Sequence, residues 1–123
     1  MFTRDYVMRQ VNQLAQVLAL VLFNKRENPD VEINEVISTG IKEALGVSLD
    51  EFLTLDETQV TSLCRDAGHF TPDLAVSIAD LLMEEPSTEA HQRAFWLYSA
   101  ALKAGGTLPL HAMEWVSSGE FAD

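Results

Sequence analysis

The chain has 123 residues, 47% of them hydrophobic and 22% charged, with eight bases against 19 acids for a formal charge of −11. That length fits a single helical domain over residues 1–123, with a core that needs neither disulfide nor metal, and the composition argues against disordered or linker-type sequence. So acidic a surface repels phosphate backbones, which argues against nucleic acid as a partner.

The first predicted helix runs from about Arg4 to Phe23. Val7, Val11, Leu14, Leu18, Val21 and Leu22 recur at i, i+3 or i+4 spacing, and Met8, Ala15 and Val17 widen the stripe. A stripe that wide predicts burial on more than one side, hence a central helix. The apolar run Leu14 to Phe23 follows Arg4 and Arg9 as a signal peptide's core would, but Gln16 interrupts it and Asn24-Lys25-Arg26-Glu27 is no small-residue cleavage site. It also falls short of the ~20 residues that span a bilayer. No membrane association is expected. Cys64 is the only cysteine, which suits a reducing compartment, and a cytoplasmic location is expected.

Asn28-Pro29 offers a cap and a first-turn proline for a second helix, about Pro29 to Leu45, which buries Ile33, Val36, Ile37, Ile41 and Ala44 and stops at Gly46. Gly40 inside it is tolerable if another segment packs close there. Ser48-Leu49-Asp50-Glu51 is a capping box that opens a short helix through Phe52 and Leu53. Asp56 with Gln59 repeats the device for a segment with Val60, Leu63 and Cys64 that ends at Gly68. Thr71-Pro72 opens a fifth helix carrying Leu74, Ile78, Leu81 and Leu82 to about Glu85, where Pro86 follows. Ser87 or Thr88 caps a sixth, to about Ala104, and a last short helix covers about Pro109 to Val116. Sustained apolar–polar alternation is absent and no Asn-Gly or Asp-Gly hairpin signal occurs, so the fold class is all-α, with six or seven helices.

Ala94, Tyr98 and Ala101 match the small–large–small spacing of the second helix of a tetratricopeptide hairpin. Ile33, Ile37, Gly40 and Ile41 echo it, but Gly40 and Ala101 do not lie one repeat apart. The architecture is therefore either degenerate tetratricopeptide-like hairpins or an irregular helical bundle with alanines at its crossings. The opening Met1-Phe2-x-Arg4-Asp5-Tyr6-x-Met8-Arg9-x-Val11-x-Gln13-Leu14 resembles the start of an uncharacterised family of short bacterial proteins. The Gly46-Val47-Ser48-Leu49 region and the helix around Ala90 to Leu102 are also similar, so the resemblance covers most of the chain. It implies a long N-terminal helix leading into tetratricopeptide-like hairpins. Pro86 stands where such hairpins usually carry glycine. The resemblance implies no activity and brings no catalytic residues.

Chemistry-bearing patterns are few. Asp66-x-x-His69 and His111-x-x-Glu114 have helical ligand spacing, but neither has a second partner motif, and no metal is expected. Cys64, in an apolar stripe, reads as packing rather than as a nucleophile served by Asp66 and His69. Walker, GxGxxG, GxSxG and HExxH patterns are all absent, so no cofactor and no catalytic residue is assigned. The pairs Asp50/Glu51, Asp56/Glu57 and Glu84/Glu85 read as capping or solvation.

Residues 1 to 26 carry four bases and one acid, while the remainder carries four bases and 18 acids. This polarity can orient two copies head to tail, or attract an acidic partner to the N-terminal helix. Within that segment Arg4, Asp5, Tyr6 and Arg9 form a candidate contact patch, Asp5 and Arg9 being spaced for a local ion pair. Trp96, Tyr98 and Trp115 are further candidate contacts, because exposed aromatics concentrate at binding hot spots. The expected function is a non-enzymatic protein–protein interaction or self-associating module, with a homodimer as one form. The alternative is a small-ligand-binding protein or an enzyme that uses an unrecognised polar pocket.

Overall fold

The computed structural model describes residues 3–66 and 68–119, with side chains from residue 6 onward. Among the described residues the fold is all-α, with seven helices and one two-residue hairpin: α1 (Thr3–Glu27), α2 (Ile33–Leu45), α3 (Leu49–Phe52), α4 (Glu57–Ser62), β1 (Arg65–Asp66), β2 (His69–Phe70), α5 (Pro72–Leu82), α6 (Thr88–Lys103) and α7 (Leu110–Ser117). Two antiparallel helical hairpins, α1–α2 and α5–α6, dominate the packing and meet where α1 lies on α5. The short α3 and α4 bridge them, α3 on α2 and α4 on α6, and α7 closes over α6.

Local chemistry explains most of the boundaries. Ser48 Oγ accepts from the Glu51 amide while the Glu51 carboxylate accepts from the Ser48 amide, and Asp56 with Gln59 repeats that reciprocal cap. Ser87 Oγ accepts from the Ala90 amide at the start of α6, and Pro72 occupies the first turn of α5. Gly46 ends α2 at φ 80°, a left-handed backbone that glycine adopts without a Cβ clash.

Four expectations are corrected. α1 runs past Phe23 to Glu27, because buried Asn24 and the Lys25–Glu84 contact at 2.8 Å hold its last turn. α2 starts at Ile33 rather than Pro29: Asn28 donates its side-chain amide back to Asn24 Oδ1, so it finishes α1 instead of capping α2. α5 stops at Leu82 rather than near Glu85. Glu85 is instead buried, with both carboxylate oxygens accepting from the Asn34 side-chain amide. The segment expected to stay helical to Gly68 turns into a minimal antiparallel ladder, Arg65 opposite Phe70 and Asp66 opposite His69. Gly68 sits at φ 84° within it, and the Thr71 amide donates to the Cys64 carbonyl beyond its open end.

The core is continuous through both hairpins. Leu14 and Val21 of α1, Ile37 and Ile41 of α2, Phe52 of α3 and Leu74, Ile78 and Leu82 of α5 are almost wholly buried, each contributing roughly 1.5–3 kcal/mol of hydrophobic stabilisation. Ala94, Tyr98 and Ala101 are also fully buried, and Tyr98 meets Asp80 across the α5–α6 contact. Small residues at such a crossing let the two helix axes approach. Gly40 does the same for α1 and α2: a Cβ there would stand 2.6 Å from Val17 Cγ1. Arg93 is a buried cation that the sequence reading passed over. Its guanidinium donates to the Leu55 carbonyl at 2.8 Å and the Glu89 carbonyl at 3.1 Å, tying the α3–α4 connection to α6.

Candidate interaction surface

α1 is not the central helix that its wide apolar stripe predicted. It packs on α2, α5 and β1 and leaves its remaining side to solvent. Val7, Leu14 and Val21, seven residues apart, are buried in the seam, whereas Tyr6, Met8, Leu20, Leu22 and Phe23 are each 46–58% exposed. Scattered exposed leucines are ordinary, but α1 exposes two apolar groups, Tyr6 and Met8 near its start and Leu20, Leu22 and Phe23 near its end, separated by residues 9–19.

A groove of about 370 Å³ runs along one flank of this surface, between α1 and α2. Val17 and Leu20 line it from α1, and Val36 from α2, with Gly40 keeping it open at the closest approach of the two helices. Three exposed glutamates, Glu32, Glu35 and Glu43, also line it, and none is within ion-pair distance of a base among the described residues. The groove thus has an apolar floor and an uncompensated negative margin. Glu32, Glu35 and Glu43 were not singled out from the sequence. Their i, i+3 and i+11 spacing, one helical face, was the available signal.

On the other flank, a smaller cavity of about 220 Å³ opens between α1, α5, α6 and the start of α7. Leu18, Leu22 and Met83 supply its apolar wall, and Asp80, Tyr98 and His111 its polar one. The Tyr98 hydroxyl donates to Asp80 Oδ1 at 2.5 Å. Burial pushes the Asp80 carboxyl above the ordinary carboxylate range, and the Tyr98 hydrogen bond and nearby His111 offset that only in part. Burial, followed by the Asp80 hydrogen bond and charge, drives the Tyr98 phenol upward.

The sequence-derived candidates fall into separate places. Tyr6 and Arg9 are exposed on α1, while the side chains of Arg4 and Asp5, and with them the expected Asp5–Arg9 pair, lie outside the described residues. Tyr98 is fully buried and leaves no surface for a partner, because it fills the α5–α6 crossing. Trp115 packs edge-on against Phe95 at 5.0 Å and against Tyr98 at 6.3 Å, pinning α7 to α6. Trp96 lies half-buried beneath the Arg93 guanidinium, 5.0 Å from ring centroid to Cζ. The aromatics of α6 and α7 therefore mainly consolidate the fold, and most of the exposed large apolar side chains belong to α1, with Val31 and, in α7, Leu110 outside it.

Among the described residues no group of three or more His, Cys, Asp or Glu side chains is arranged to hold a metal ion. Cys64 is buried, and loss of solvation pushes its thiol up to about 12, which removes the thiolate that nucleophilic chemistry needs. No described helix is long and apolar enough to cross a membrane. Compared with known proteins, the chain matches no family model, no curated protein and no solved structure.

Proposed function

We propose that this protein is a non-enzymatic interaction module whose working surface is the outer face of α1. The observation that carries the proposal is the half-exposure of Tyr6, Met8, Leu20, Leu22 and Phe23 along one helix whose opposite face is fully packed. Leaving these side chains in water forgoes hydrophobic stabilisation of about 25 cal/mol per Å² of apolar area, which a second protein surface recovers. Cytoplasmic placement fits the free, buried Cys64, and the α1–α2 and α5–α6 hairpins fit a degenerate tetratricopeptide-like pair. An acidic margin favours partners that present basic or neutral surface and disfavours nucleic acid.

The test is L20E/F23E, which places two charges on the exposed face. Light scattering on a sizing column, at two protein concentrations, and affinity capture from cell extract are compared with the wild type. Loss of self-association or of specific captured proteins, with helical circular dichroism unchanged, is the expected result. A wild-type chain that stays near 13.7 kDa and captures the same proteins as L20E/F23E removes the proposal.

A second reading, small-ligand binding, has one observation in its favour: the cavity that joins Asp80, Tyr98 and His111 to an apolar wall. Thermal shift against a metabolite panel tests it. A stabiliser whose effect disappears in D80N supports this reading, and silence across the panel counts against it.

A further inference from the structure

We infer that the occupant of the α1–α2 groove is the N-terminal half of α1 from a second copy of this chain, so that two copies pair antiparallel along α1. The inference rests on the interaction reading above, of whose five exposed side chains it uses Tyr6 and Leu20, and it names the partner.

The argument begins with charge. Each copy carries −11, so two copies repel wherever acidic surfaces face one another. The first 26 residues are net positive, with Arg4, Arg9, Lys25 and Arg26 against Asp5, and so is the acid-free stretch 90–113, with Arg93 and Lys103. Lys25 is occupied by Glu84, and Arg26 contacts Glu27, so both ends of that pair of bases are already engaged. Of the other bases Arg93 is buried, while Lys42, Arg65 and Lys103 lie outside α1; Arg9 is the exposed base that shares a helix with the exposed apolar side chains Tyr6 and Leu20, so the N-terminal part of α1 joins positive charge to apolar surface.

Geometry supplies the register. α1 spans 25 residues, roughly 37 Å at 1.5 Å per residue. Tyr6, Arg9, Gln13, Val17 and Leu20 follow i+3 and i+4 steps, so they share one stripe on the flank of α1 that borders α2. A two-fold axis beside Gln13 sets Tyr6 of one copy against Leu20 of the other, and Arg9 against Val17. Arg9 then lies over the groove margin that carries Glu35 and Glu43, while the Tyr6 ring covers Leu20 and the neighbouring Val31. Because the axis repeats every contact, both grooves are filled at once and the pairing closes as a dimer. Tyr6, Leu20 and Val31, all more than a third exposed, are removed from water in the same step.

Charge reversal on either side of this interface gives a self-checking experiment. R9E alone, and E35K/E43K alone, each place like charges face to face, and each is expected to weaken the dimer by at least about tenfold in sedimentation equilibrium. Mixing the two variants restores both contacts in the heterodimer, because Glu at position 9 of one copy meets lysines and Arg9 of the other meets glutamates. The expected result is a mixture that dimerises like the wild type while each variant alone does not.

A wild-type dimer that is insensitive to both reversals, or a mixture that stays monomeric, overturns the pairing. If L20E/F23E still breaks such a dimer, the interaction surface stands and only this register fails. A wild-type chain that is monomeric at every concentration overturns self-pairing. A foreign partner whose capture R9E leaves intact and E35K/E43K abolishes also overturns it, by assigning the groove to another chain.

Discussion

Asp80 is an acid in surroundings that favour its neutral form. Burial raises its pKa, and the Tyr98 hydroxyl and His111 recover only part of the cost of its charge. With a folded-state value above the unfolded one, Asp80 contributes stability below the unfolded pKa and loses it as the pH rises through the folded value. Glu51 has the opposite sign. The Ser48 amide and hydroxyl hold its carboxyl low, so its contribution is present above its unfolded pKa and lost as the pH falls. D80N separates the two, since Asn keeps an acceptor for Tyr98 and does not titrate. Urea unfolding of both proteins from about pH 3.5 to about pH 7 is expected to show the wild type losing ground to D80N as the pH rises. Parallel curves would show that Asp80 keeps an unperturbed carboxyl. Tyr98 was legible in the sequence as an important ring but not as half of a buried pair. Asp80 lies 18 positions away on another helix, and only the α5–α6 crossing brings its carboxylate to the phenol.

At the scale of elements, the spacing between α1 and α2 is set by a missing side chain. A Cβ on Gly40 would lie 2.6 and 2.7 Å from the two methyls of Val17, a β-branched residue with little rotamer freedom in a helix. G40A gains up to about 1 kcal/mol of helix propensity, but the overpacking costs about 1–3 kcal/mol, so a net loss in urea unfolding is expected. V17A/G40A should recover most of that loss, and equal stabilities for G40A and the double variant would mean that the clash is relieved elsewhere. The sequence already marked Gly40 as a point of close approach, because glycine inside a helix needs a reason. It did not identify Val17 as the neighbour. The helix starts at Ser48, Asp56 and Ser87 were legible for a related reason: a cap is made by residues three positions apart and needs no distant partner. The start of α2 differs from the one Asn28-Pro29 suggests because Asn28 bonds back to Asn24 at the end of α1, and a long-range pair holds the first turn of α2 instead. Asn34, in the first turn of α2, bonds to Glu85 beyond the end of α5.

For the molecule as a whole, the two hairpins are joined by a connection that has little core of its own. α3 and α4 are four and six residues long, and the Arg93 guanidinium anchors the turn between them through the Leu55 carbonyl. Burial disfavours the Arg93 charge and lowers its pKa, so that cation is kept at a cost which its carbonyl contacts and the Trp96 face offset. R93A is expected to destabilise the fold by about 2 kcal/mol, the range for a hydrogen bond to a charged group. In hydrogen exchange the amides of residues 49–62 should lose protection before those of α5 and α6. Uniform loss across the chain would instead place Arg93 in the global core.

The all-α class, the three side-chain caps, Pro72 in the first turn of α5 and the inert, buried Cys64 follow from the sequence by itself. Each depends on periodicity, on neighbours a few positions apart, or on residue chemistry that survives in any compact fold. Which apolar face of α1 is core and which is surface was decided only by the tertiary structure. An amphipathic stripe records how many sides of a helix are greasy, not how many partners the fold supplies. α1 has apolar residues for more neighbours than α2 and α5 provide, and the unmatched side is the surface proposed to meet another protein. The glutamates that border it come from α2, and they became a margin only once Gly40 had brought that helix against Val17.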